Sequence, residues 1–175
     1  MIKNMKIISL KFIILFFILT KCILANDINS IEIISDELEW NEKEKIAYAR
    51  GNASAEQKDK KLTADELIVH LSEDNKNTNN NNNEIVMIEA IGNVIFSSKE
   101  DKATGNNAVY NIVENNIILD GNVILNRKEN IMQGEHLEMD LNTGVSSISN
   151  GKEGEKVRML FSTKNDGETI TDDSE

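Results

Sequence analysis

Residues 88–96 read IEAIGNVIF, and their apolar positions alternate as those of a β-strand do. Counted from Gly92, positions −4, −2, +2 and +4 are Ile88, Ala90, Val94 and Phe96. Side chains two residues apart share one face of a strand, whereas a helix aligns residues three and four apart. The same frame recurs in AYARGNASA around Gly51, with Ala47, Ala49, Ala53 and Ala55 at those positions. It recurs again in ILDGNVIL around Gly121, with Ile117, Leu119, Val123 and Leu125. A degenerate copy, ISNGKEG, surrounds Gly151. Apolar residues flank each Gly-Asn pair in step on both sides. That fits either a strand that bends and runs on, or a turn at the pair.

A second element alternates with the first: IISDELEW at 33–40, LTADELIV at 62–69, ATGNNAVY at 103–110 and MQGEHLEM at 132–139. Its spacings are 29, 41 and 29 residues, and those of the glycine series are 41, 29 and 30. The long interval of both series contains the polar run EDNKNTNNNNNE, residues 73–84. Without that insertion both series return to about 29, so 73–84 reads as a loop added at a strand tip. In the second element a small-then-polar pair (Ser35-Asp36, Ala64-Asp65, Gly105-Asn106, Gly134-Glu135) shifts the parity of the apolar set. A bulge or sharp bend does this. The pattern predicts an all-β stack of antiparallel strands built from repeats of about 29 residues, two to four short strands each, ending with KVRMLF at 156–161.

The first 25 residues stand apart from this pattern. Lys3, Lys6 and Lys11 precede the apolar run Phe12 to Leu19, and Ala25 supplies a small residue before Asn26. This order reads as a cleavable secretory signal, residues 1–25, too short to span a bilayer comfortably. The repeat domain is then 26–161, and the polar stretch 162–175 reads as a disordered tail. The chain carries 19 basic and 30 acidic residues, net −11. Losing four signal lysines and no acid leaves −15, which disfavours nucleic acid as a partner. Cys22 is the one cysteine, so the mature chain would have no disulfide.

The chemistry of an enzyme is hard to find. His70 and His136 have no metal-ligand spacing around them, and no cofactor motif is present. Ser35-Asp36 and Asp65-Glu66 recur with the repeat, so a bend explains these acids better than acid–base catalysis. We therefore expect no catalytic residues, no metal and no cofactor.

In order and spacing, I-x-I-x-S-D from Ile31, a strand ending in Gly51-Asn52 and LTADELIV resemble the LptA/OstA-like proteins of lipopolysaccharide export. The later A-x-G-x-x-A-x-Y, I-I-L-x-G-N-V and x-G-E-x-L elements complete the likeness, over Ile31 to Val69 and Glu84 to Phe161. The resemblance implies an antiparallel β-jellyroll, two facing sheets in an open V. It also implies a periplasmic bridge that shields lipid A acyl chains of lipopolysaccharide in a groove and stacks end to end. Implied partners are an LptC-like component at the N-terminal edge, the N-terminal domain of an LptD-like component at the C-terminal edge, and further copies head to tail. Matching the family's motif places Ile31, Ile33, Tyr110 and Ile112 along the groove. Alternation alone adds Leu38, Phe96, Leu119 and Leu125, though these could equally be plain core residues. Two other readings use the same strands: an LptC-like sister component, and a structural β-repeat surface protein without lipid.

Overall fold

The computed structural model describes residues 30–72, 84–151 and 155–162. The expected signal, residues 73–83 of the Asn-rich loop and residues 163–175 of the tail lie outside them. Ten strands run in chain order: β1 Glu32–Ile34, β2 Glu37–Asn41, β3 Ile46–Gln57, β4 Lys60–Leu71, β5 Ile85–Ser97, β6 Asp101–Asn111, β7 Asn116–Arg127, β8 Asn130–Asp140, β9 Ser146–Ser149 and β10 Arg158–Leu160. They form one antiparallel sheet in which β3 to β8 pair consecutively. On one side β1 and β2 both pair with β3, and on the other β9 and β10 both pair with β8. The sheet does not close on itself.

A repeat is thus two long strands rather than several short ones, and each long strand is bent in the middle. In β3, β5 and β7 the bend lies at the Gly-Asn pairs. Gly51, Gly92 and Gly121 have φ of 77, 78 and 80°, and Asn52, Asn93 and Asn122 follow at 47, 48 and 51°. Glycine adopts this left-handed region freely and asparagine tolerates it better than most residues. The register slips at each pair: Arg50 faces Glu66 and Ala53 faces Ala64, so Gly51-Asn52 stands opposite Asp65 alone. This is a β-bulge, and it lets the strand run through while turning a corner.

The acidic and amide residues of the second element sit in the corner. A Cβ on Gly51 would lie 2.5 Å from Asp36 Oδ2, so only glycine leaves room there. Asn52 Nδ2 donates to Asp36 Oδ2 at 2.8 Å, and Asn93 Nδ2 donates to Asp65 Oδ2 at 2.9 Å. At the next corner the Asn122 backbone N–H donates to Glu135 Oε2 at 3.3 Å. These side chains cap backbone irregularities, as the repeat suggested.

The corners divide the sheet into two limbs. One ends in the turns 42–45, 112–115 and 141–145 and is called here the long-turn limb. The other ends in the tight turns 58–59, 98–100 and 128–129 and is the short-turn limb. The apolar faces of both limbs form one buried cluster. In the degenerate copy around Gly151, β9 ends at Ser149, and Glu153 and Glu155 stand in the sequence where the other copies carry apolar residues. Ile148 and Asn150 press against Gly134 at the β8 corner.

Candidate functional site

Residues directly opposite in an antiparallel pair project to the same face. The registers can therefore be followed across the sheet from edge to edge. In the long-turn limb one inner row runs Leu38, Ala49, Leu67, Ala90, Ala108, Leu119, Leu137, Ile148. A second runs Trp40, Ala47, Val69, Ile88, Tyr110, Ile117, Met139, Ser146. In the short-turn limb the row is Ile33, Ala55, Leu62, Phe96, Ala103, Leu125, Met132, Met159. Apart from Ser146 at one end, all three rows are apolar throughout.

Burial changes along these rows. Ala47, Ala49, Ala53 and Ala55 are 0–7% exposed, so the alanine-rich first repeat is closely packed. Phe96, Leu119 and Leu125 are at 0% and Tyr110 is at 4%, all within the closed middle of the cluster. The ends are open. Leu38 is 64% exposed and Trp40 49% at the β2 edge, and Met159 is 45% exposed at the β10 edge. Ile31, Ile33 and Ile112 are partly buried against the cluster. Of the sequence-selected residues, the structure thus brings Phe96, Tyr110, Leu119 and Leu125 into one interior. It sets Ile31 and Ile33 at its N-terminal end, and Leu38 on the uncovered rim. Trp40, which alternates with Leu38, and Met159 are not among the sequence-selected residues; their inner-face placement follows from pairing with Ala47 and Met132.

The limbs meet across the interior. The rings of Phe96, on the short-turn limb, and Tyr110, on the long-turn limb, are 6.3 Å apart between centroids and tilted by 57°. That is within the range of favourable aromatic pairs. Phe96 and Tyr110 also line a cavity of about 10 Å³, together with Ile31, Ala55, Leu62, Ile88, Gln57 and Lys60. The Tyr110 hydroxyl lies 3.5 Å from both Gln57 Oε1 and Asn115 Oδ1. Burial, with a smaller contribution from the Asp59 charge, raises the Tyr110 phenol above its ordinary 10.0. The phenol stays neutral over the physiological range.

The outer face is polar where it carries charge. His70 Nε2 lies 2.8 Å from Glu89 Oε1, and His136 Nδ1 lies 2.6 Å from Asp120 Oδ1. Each histidine meets one carboxylate on the neighbouring strand. Among the described residues no cluster of His, Cys, Asp and Glu could hold a metal ion.

Comparison with known proteins agrees with this architecture. A crystal structure of LptH, the LptA-homologous periplasmic component of the lipopolysaccharide transport device of Pseudomonas aeruginosa, superposes with a TM-score of 0.67. It is 16% identical and the match covers 77% of this chain and 96% of that one, a likeness of fold. An uncharacterised protein of Rhizobium meliloti (strain 1021) is 30% identical over 126 residues, 71% of this chain and 67% of its own length. The family model described as LptA/(LptD N-terminal domain) LPS transport protein matches residues 32–145. That span runs from β1 to the end of β8 and takes in all the bent strands, so the chain belongs to the LptA/LptD N-terminal domain family of lipopolysaccharide transport proteins, a transport family rather than an enzyme family.

Proposed function

We propose that this chain is a periplasmic bridge that holds the acyl chains of lipopolysaccharide between its two limbs and passes the lipid from the inner to the outer membrane. One observation carries the reading: apart from Ser146 the inner face is apolar from edge to edge, and among the described residues it is uncovered at both edges. Leu38 and Trp40 at one end and Met159 at the other continue rows that are closed in the middle. A surface of that kind extends naturally into a neighbour with the same cross-section. Unpaired edge strands supply backbone donors and acceptors for such stacking. The N-terminal edge, β1 and β2, would meet an LptC-like component, and the C-terminal edge, β9 and β10, an LptD-like N-terminal domain or another copy. Export by a cleaved signal at residues 1–25 fits this placement.

Acyl chains suit the site because burial alone holds them. Each methylene removed from water contributes roughly 0.8 kcal/mol, so a chain of about a dozen carbons can gain on the order of 10 kcal/mol without any headgroup contact. That matters in a chain of net charge −11, which would repel lipid phosphates. Native mass spectrometry of the protein incubated with lipopolysaccharide tests the reading. The expected result is a complex at the summed mass, lost on competition with free lipid A. Folded protein that stays lipid-free would favour a structural β-repeat instead.

A further inference from the structure

We propose that the turns at the tips of the two limbs form a repeated polar clasp, which holds the limbs together in the empty protein and must part for an acyl chain to enter from the side. The proposal rests on the lipid-carrying reading above and adds how the closed middle of the interior is opened.

The clasp occurs twice. In the first, Lys60 Nζ on the short-turn limb donates to Asn115 Oδ1 on the long-turn limb at 2.8 Å, beside the Tyr110–Gln57 contact. In the second, Arg127 Nη1 donates to the Gly144 carbonyl at 2.7 Å and Nη2 to Ser146 Oγ at 2.9 Å. Asp101 fixes the guanidinium from its other side, at 2.6 and 3.1 Å. The two sites are related in the repeat on the long-turn side; on the short-turn side the donors flank a turn differently, Lys60 opening β4 and Arg127 closing β7. Asn115 and Gly144 are the left-handed residues of successive long-turn loops, with φ of 55 and 74°.

These bonds suit a fastening that opens. The Arg127–Gly144 bond is exposed, and the Lys60–Asn115 and Arg127–Ser146 bonds are only partly buried, so water can take the place of either partner at modest net cost. The opposite margin of each limb is a bulged corner, a place where a strand already bends. The first clasp also adjoins the small cavity, since Lys60 and Gln57 are among the residues that line it. An alkyl chain arriving there would widen a space that exists already and replace the contact of one limb with the other.

The test uses the full chain in a Cys22→Ser background carrying Lys60→Cys and Asn115→Cys, joined by a short bifunctional thiol reagent. Fluorescently labelled lipopolysaccharide is the probe. The joined form is expected to bind at least ten-fold more weakly than the same variant left unjoined. Equal binding by the two forms would overturn the clasp and leave the lipid reading standing. Binding by neither form would overturn both. A second arm does not depend on the cross-link: Lys60→Met should speed probe uptake at least three-fold, and Lys60→Arg should restore the original rate. An uptake rate unchanged in Lys60→Met would also overturn the clasp.

Discussion

Gly92 shows how one residue sets the shape of a strand. It sits at φ 78° with Asp65 packed where a Cβ would go. An alanine there must adopt a left-handed backbone and displace the carboxylate that Asn93 holds. Backbone strain of this kind costs on the order of 1–3 kcal/mol. Gly92→Ala is therefore expected to lower the unfolding free energy measured in urea by that amount, with a correspondingly lower midpoint. A midpoint unchanged by Gly92→Ala would mean that the corner tolerates an ordinary residue. The residue-level pattern was legible in the sequence because period-two burial leaves a period-two trace: all twelve apolar positions counted from Gly51, Gly92 and Gly121 lie in the core. The parity shift at Asp65 and Asn106 was legible for the same reason. Whether Gly-Asn was a turn or a bend was not, because both conformations use the same two residues. The cross-limb contacts were not legible either. Lys60 and Asn115 are 55 residues apart, polar, and sit at a strand end and in a turn with no periodic signature.

At the scale of elements, the edge strands behave differently from the long ones. β3 to β8 have 11 to 13 residues each, and each is covered by neighbours on both sides. The outer strands have three to five residues and pair on one side only among the described residues. Short edge strands with charged residues, such as Glu37 and Glu39 beside Leu38 and Trp40, limit indiscriminate pairing. The alternation of Leu38 and Trp40 marked β2 as a strand, but exposure at an edge depends on who sits beyond it, which one chain's pattern does not encode. β9 escaped notice because SSIS lacks the apolar strength of the other strands. The edge reading has a direct check, since Trp40 is the chain's one tryptophan. Docking of a partner at the N-terminal edge should shift its emission to shorter wavelength, and Leu38→Asp should weaken that docking about ten-fold, roughly 1.4 kcal/mol. An emission spectrum unmoved by a partner bound with full affinity would place the contact elsewhere.

For the molecule as a whole, one sheet is folded back at a line of bulged corners so that its two apolar faces meet. Among the described residues this gives a core without disulfides and with both of its ends uncovered. The arrangement suits a carrier whose cargo is recognised by being apolar, and it needs no catalytic group. Adjacent residues of β1 separate the two faces: Ile33 lies in the inner row opposite Ala55, whereas Ile34, 52% exposed, lies opposite Ser54 on the outer side. The most direct measurement places a photo-crosslinking residue at each position in cells that export the protein. Lipid held between the limbs predicts adducts of lipopolysaccharide mass from position 33 and few from position 34; equal adducts from both, or none from either in folded and exported protein, would contradict it.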